Sequence, residues 1–302
     1  MKSNMPQVQQ DTLWGAKRAA DGHPEPFQLL YVEIGNEDWF DGSGSYEQPS
    51  AAFYNAIKAK YPDIKLISTT NVKSHPMDVL DEHYYESKSW MTTNATRYDN
   101  DPRRATGTKV FIGEYADQQG ALAVAPANLD AAIGEAAFMT GLERNSDLVV
   151  MAAYAPLFEN INAMNWATDA IGFDVLSNYE TPSYYVQQLF GQNHGDVVVP
   201  TTVETSNDDT GNNGIYVVTS KDSKTGDLYV KVVNPGTVAR TTSVNFKGLA
   251  SLPNGTATVL TSDKGTDVNS LQDPTKVHPV TSDVTVKGNT LNHFRCKLTH
   301  CV

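Results

Sequence analysis

Apolar runs recur through the first two thirds of the chain: LLYVEIG (29–35), IKLIST (64–69), KVFIGEY (109–115) and LVVMAAYA (148–155), with a shorter candidate, DEHYY (81–85), before the third of them. Such near-continuous runs predict strands buried on both faces, as in parallel sheets. Between them, SAAFYNAIKAKY (50–61) and NLDAAIGEAAFMTGLERN (128–145) predict helices, and the second carries a partly apolar face of Ile133, Ala137, Phe138, Thr140 and Leu142. SYYVQQLFGQN (183–193) predicts a last helix with Ser183 as its N-cap. Strands alternating with helices imply βα units around a parallel sheet, open or closed into a barrel.

Past residue 195 the pattern changes. Short alternating segments, GIYVVTS (214–220), LYVKVVN (228–234), VARTTSVNF (238–246), TATVLTS (256–262) and TLNHFRCKL (290–298), are separated by Gly, Asn and Asp turns. They predict antiparallel strands, the first two joined as a hairpin through KDSKTGD, and together a small sandwich. Composition agrees: all four Trp, all seven Met and 12 of the 14 Tyr precede residue 195, while 18 Val and 18 Thr make up a third of the 108 residues 195–302. Val and Thr, stiff at χ1, suit a pleated surface. Two domains are expected, 1–194 and 195–302.

Charge narrows the partners. Lys plus Arg number 23 against 35 Asp plus Glu, a net −12, which excludes a phosphate backbone or anionic membrane surface as an obvious target. No apolar run is long enough to span a bilayer, and the opening MKSNMPQVQQDTLWG has no signal-peptide core.

The chemistry gathers at strand ends. Gly35-Asn36-Glu37 ends the first run and Gly113-Glu114-Tyr115 lies in a later one, so two carboxylates 77 residues apart are expected at the same end of one sheet. Glycoside hydrolysis needs such a pair, one to protonate the leaving oxygen and one to attack or activate water. Helix capping or pairing with Lys or Arg would account for either glutamate equally well.

The wording around them is more specific. YVEIGNEDWF (31–40) with VFIGEYA (110–116) resembles the α-L-arabinofuranosidases of glycoside hydrolase family 51, and the likeness extends through DEHYY (81–85), EAAFMTGLERNSD (135–147), YAPLFENINAMNWATDAIGFD (154–174) and SYYVQQLFGQNHGD (183–196). The resemblance implies Glu37 as general acid/base and Glu114 as nucleophile of a retaining mechanism, about 5–5.5 Å apart, with Asn36 on the sugar 2-hydroxyl. It places His83, Tyr84 and Tyr85 at the strand end where an aromatic hydroxyl orients the nucleophile; Tyr84 is preferred to Tyr85, since only one of two successive residues faces in. Trp166 and Asp169 would line a sugar subsite. Glu143, Arg144 and Asn145 read better as a structural salt bridge or helix end.

The same resemblance implies a (β/α)8 barrel with the acid/base on strand four and the nucleophile on strand seven. Only about 28 residues precede the first run here, whereas three βα units need roughly 90. The expected fold is therefore α/β plus β: a partial TIM-type barrel, about strands four to eight, then an antiparallel β-sandwich. The chain would be a fragment of an arabinofuranosidase, acting on arabinose-containing plant cell-wall glycans, without metal or organic cofactor, secreted, and a possible oligomer. Another retaining barrel glycosidase of the same clan and a non-catalytic remnant are the alternatives. Minor motifs are read as bland: Cys296 and Cys301 as a possible disulfide or, with His293 and His300, a remote metal site; NDDTGNNG (207–214) as a turn; Asn94 and Asn254 as glycosylation sequons.

Overall fold

Leu66 and Ile67, 1% and 4% exposed, show why the apolar runs become strands: they are covered on both faces. A computed structural model describes residues 11–118, 127–204 and 214–296. The described residues form two compact units, those of 11–82 with 103–111 and those of 83–102 with 112–296. Five strands, β1 (Tyr31–Ile34), β2 (Lys65–Ser68), β3 (Val79–Glu86), β4 (Lys109–Asp117) and β5 (Val149–Tyr154), follow one another in chain order within one sheet. The β1–β2 and β2–β3 pairs are parallel, as the continuous burial of β2 requires.

Helix α1 (Leu13–Ala20) precedes β1, and α2 (Glu47–Lys60), α3 (Lys88–Thr93), α4 (Arg103–Thr106), α5 (Leu129–Arg144) and α6 (Pro182–Gln192) lie between the strands or after them. In the first unit, Ile34, Tyr46, Ile64, Leu66 and Val72 form a core against which Ile57 of α2 packs. α5 is buried nearly all round rather than on one face, because its small Ala and Gly positions admit neighbours on several sides. Gly141 is the clearest case: a Cβ there would lie 2.0 Å from the Ala95 carbonyl oxygen. Asn128 caps α5 through the Ala131 N–H. For α6 the expected cap is corrected: Thr181, not Ser183, accepts from the Tyr184 N–H, and Pro182 fills the first turn, where no N–H is needed.

Three short strands escape the apolar pattern, β6 (Phe158–Asn160), β7 (Ile171–Phe173) and β8 (Asn178–Glu180), which form a sheet of their own with a parallel and an antiparallel pair. Three residues are too few to show a period. The C-terminal strands β9 (Val197–Val199), β10 (Tyr216–Lys221), β11 (Leu228–Val233), β12 (Arg240–Asn245), β13 (Gly255–Val259), β14 (Val280–Val284), β15 (Val286–Lys287) and β16 (Thr290–Cys296) make three small sheets, ordered β11-β10-β9, β12-β16-β15 and β13-β14. Each pairing among them is antiparallel, and β10 and β11 form the expected hairpin.

The core of the second unit runs from α5 and α6 into these strands: Leu129, Ile133, Ala137, Val186 and Phe190 share one cluster with Val218, Val233, Leu260 and Val277. At the end of α5, Glu143 binds Lys231 Nζ at 2.7 Å and accepts from Ser220. Arg144 and Asn145 both donate to Asp99, so this trio is structural, as the sequence suggested. Cys301 and most of the 207–214 turn lie outside the described residues.

Candidate active site

Glu37 sits at a backbone position that a side-chain-bearing residue rarely takes, with φ 54° and ψ 32°. Gly35 just before it has φ +99°, and a Cβ there would meet Asp38 Oδ2 at 2.0 Å. Asp38 is the reason the turn holds. Its Oδ2 accepts from the Asn36 N–H at 3.0 Å and from Thr69 Oγ1 at 2.6 Å, tying the turn after β1 to the end of β2. Tyr46 OH donates to the Ile34 carbonyl at 2.6 Å, fixing the last residue of β1 from below. Left-handed backbone away from glycine persists where its surroundings over-determine it, and such sites cluster where function needs a fixed side chain. Asn36 itself is exposed.

In the second unit Glu114 stands on β4 with its side chain about one-third exposed. Tyr85 OH donates to its Oε2 at 2.5 Å, and His83 Nδ1 lies 3.5 Å from the same oxygen with the imidazole almost fully buried. A hydroxyl and a ring nitrogen on one carboxylate oxygen fix the rotamer of that carboxyl. The Trp166 ring stacks on Tyr85, centroids 6.2 Å apart and planes 23° from parallel, and stays 39% exposed. A carboxylate held beside an open aromatic face suits the apolar side of a sugar ring.

The preference for Tyr84 is corrected. Successive strand residues point to opposite faces, so His83 and Tyr85 reach Glu114 together and Tyr84 faces away. Its hydroxyl meets Tyr98 OH at 3.1 Å and receives the Arg97 Nε–H at 3.0 Å, and its ring packs on Trp90 and Phe138. His83 in the sequence marks the correct face, since the residue two positions on must share it.

Asp169 is turned inward, 3% exposed. Burial pushes its carboxyl up to about 6; burial likewise raises the neighbouring Glu159 and Tyr179, with the Asp169 charge adding to both. Asp38 is the residue that sequence reasoning passed over. Its signal was an Asp two positions past Asn36 in a tight turn, the arrangement in which a carboxylate accepts backbone N–H groups.

Comparison with known proteins adds the lineage. Residues 95–300 match the model of the α-L-arabinofuranosidase C-terminal domain, and residues 6–103 that of the α-L-arabinofuranosidase 1 domain. Alpha-L-arabinofuranosidase 2 of Arabidopsis thaliana is 40% identical over 275 residues, covering 89% of this chain and 39% of the plant protein. An extracellular exo-alpha-L-arabinofuranosidase of Streptomyces chartreusis is 39% identical over 217 residues, 66% of this chain and 24% of that protein. Among solved structures, an arabinose-bound GH51 α-L-arabinofuranosidase superposes with a TM-score of 0.87 at 34% identity, over 99% of this chain and 48% of that one. The chain spans about two fifths of the length of the plant and Aspergillus relatives it matches. With a family model covering more than half the residues, and Glu37 and Glu114 each set in a built local site, the chain belongs to the family 51 α-L-arabinofuranosidases.

Proposed function

We propose that this chain carries the catalytic pair of a retaining α-L-arabinofuranosidase, which releases terminal α-L-arabinofuranosyl residues from arabinose-containing plant polysaccharides and oligosaccharides. The observation that carries the reading is the setting of Glu114, one oxygen held by Tyr85 and His83 beside the open face of Trp166. In this reading Glu114 attacks the anomeric carbon while Glu37 protonates the departing glycosidic oxygen. Glu37 then takes a proton from the water that cleaves the glycosyl–Glu114 ester, and arabinose leaves with its configuration retained. Asn36 binds the sugar 2-hydroxyl, and Trp166 walls the subsite.

The fold we propose to go with it treats β1 to β5 as strands four to eight of a (β/α)8 barrel, residues 1–194, and residues 195–302 as a β-sandwich. The 99% coverage by family 51 structures supports this architecture. The name of the Streptomyces relative supports a secreted enzyme.

The test is hydrolysis of an aryl α-L-arabinofuranoside by the purified chain, with aryl xyloside and glucoside as controls. Turnover of the arabinofuranoside alone, reduced at least about a thousandfold in Glu114→Ala, is the expected result. Parent-level turnover in Glu114→Ala would overturn the assignment. A folded parent that binds arabino-oligosaccharide without cleaving it would favour the binding remnant instead.

A further inference from the structure

Beneath the strand that carries Glu114 lies a carboxyl that the proposed reaction does not use. Glu135 of α5 is 0% exposed. Its Oε1 accepts the Asp117 N–H at 3.0 Å, three residues past Glu114 on β4. The two elements are forced close there: a Cβ on Gly134 would lie 2.7 Å from Asp117 Oδ2 and 2.9 Å from Lys88 Cα. Next to Glu114 on β4, Tyr115 OH donates to Gln187 Oε1 of α6 at 2.5 Å. The strand around Glu114 is thus tied to α5 through a buried backbone N–H and to α6 through the Tyr115 hydroxyl.

We propose that Glu135 is a positioning residue for Glu114, acting through the backbone of Asp117. The role assigned to Glu114 rests on the function proposed above; the tie from Glu135 to β4 does not. The groups facing Glu135 are Tyr115 and Asp117 of β4, Tyr154 of β5 and Ser183 of α6, with Asp169 acting on Tyr154; Lys88 of α3, whose backbone is close to Gly134, spends its ammonium on Asp130. None of these is a cation aimed at the carboxyl. Burial, opposed by the Asp117 N–H and aided by the Asp117 charge, pushes Glu135 up to about 8. At neutral pH it is therefore an uncharged acid that still offers Oε1 as an acceptor, a function an amide performs equally well.

Two variants of the full chain separate this from general packing. Glu135→Gln keeps the acceptor and the neutral shape, and Glu135→Ala removes the acceptor. Hydrogen exchange read on peptides spanning 112–118 is expected to accelerate at least tenfold in Glu135→Ala and to stay within twofold of the parent in Glu135→Gln. On aryl arabinofuranoside, Glu135→Ala is expected to lose kcat tenfold or more with KM within twofold, and Glu135→Gln to restore it. As pH rises from 5 to 8 the melting temperature of the parent should fall relative to Glu135→Gln. Unchanged exchange at 112–118 in a folded Glu135→Ala overturns the proposal. So does a Glu135→Gln chain that loses protection there; this second result stands even if the alanine variant fails to fold. Retained exchange behaviour in a chain without turnover would instead count against the catalytic reading of Glu114.

Discussion

Tyr85 and Tyr84 are adjacent in sequence and do opposite things. The Tyr85 hydroxyl holds the Glu114 carboxylate, and the Tyr84 hydroxyl joins Tyr98 and Arg97 on the other face of β3. Removing an outer partner that orients a functional side chain costs roughly 10- to 100-fold in activity. Tyr85→Phe is therefore expected to lower kcat on aryl arabinofuranoside by about that factor, and Tyr84→Phe to leave it within about threefold while lowering thermal stability. Equal kinetic effects would contradict the alternation argument. Asp38 makes a second residue-scale prediction. Its carboxylate accepts from Asn36 N–H and Thr69 Oγ1 and holds Glu37 left-handed. Asp38→Ala should destabilise by about 1–3 kcal/mol, read by denaturant unfolding, and should lower kcat along with it. Asp38→Asn, which keeps one acceptor oxygen, should recover part of both.

Among the elements, α5 bears the closest contacts. Ala95 packs where a Gly141 side chain would be, so Gly141→Ala must push the helix off the short 3-10 turn at 94–96. Overpacking of this kind costs about 1–3 kcal/mol, despite the better helix propensity of alanine, and a chemical denaturation midpoint lower than the parent's is the expected reading. The end of α5 makes a second demand. Lys231 of β11 is 8% exposed and neutralises Glu143 at 16%; Lys231→Ala would leave that carboxylate mostly buried and unpaired, at a cost of about 3–5 kcal/mol. The elements also show what the sequence could carry. β1 to β5, α2 and α5 were legible because their apolar runs are long enough to show a period or its absence. β6, β7 and β8 were not, since three-residue strands are too short to show a period. Thr181 was missed as a cap because Ser183 satisfies the same local rule two residues later, and Pro182 at the first position decided between them. At the site, motif wording singled out Glu37 and Glu114, but the choice between Tyr84 and Tyr85 depended on strand phase, which His83 could have supplied.

For the whole molecule, acid and base limits follow from where its carboxyls sit. Glu135 is pushed up to about 8 and Asp169 to about 6, chiefly by burial. Each binds a proton more tightly folded than unfolded, so stability is fully present below the ordinary carboxylate range and is lost as pH rises toward 6 for Asp169 and 8 for Glu135. Asp41, lowered to about 2 by Ser45 and Ser43, and Asp78, lowered by Lys58 against its own burial, act in the opposite sense and lose their contribution as pH falls below about 4. The melting temperature should accordingly peak in the mildly acid range, between about pH 4 and 6, and decline on both sides. A maximum at pH 8 would contradict the burial assigned to Glu135 and Asp169. In the proposed function Glu114 forms the covalent bond to arabinose, and one measurement addresses that bond directly. The purified chain is incubated with a slow-turnover activated arabinofuranoside that traps a glycosyl-enzyme, then digested and read by peptide mass spectrometry. An added glycosyl mass on the peptide containing residues 109–118, placed on Glu114 and absent from Glu114→Ala, is the result expected. A label on another residue, or turnover with Glu114 never labelled, would contradict it.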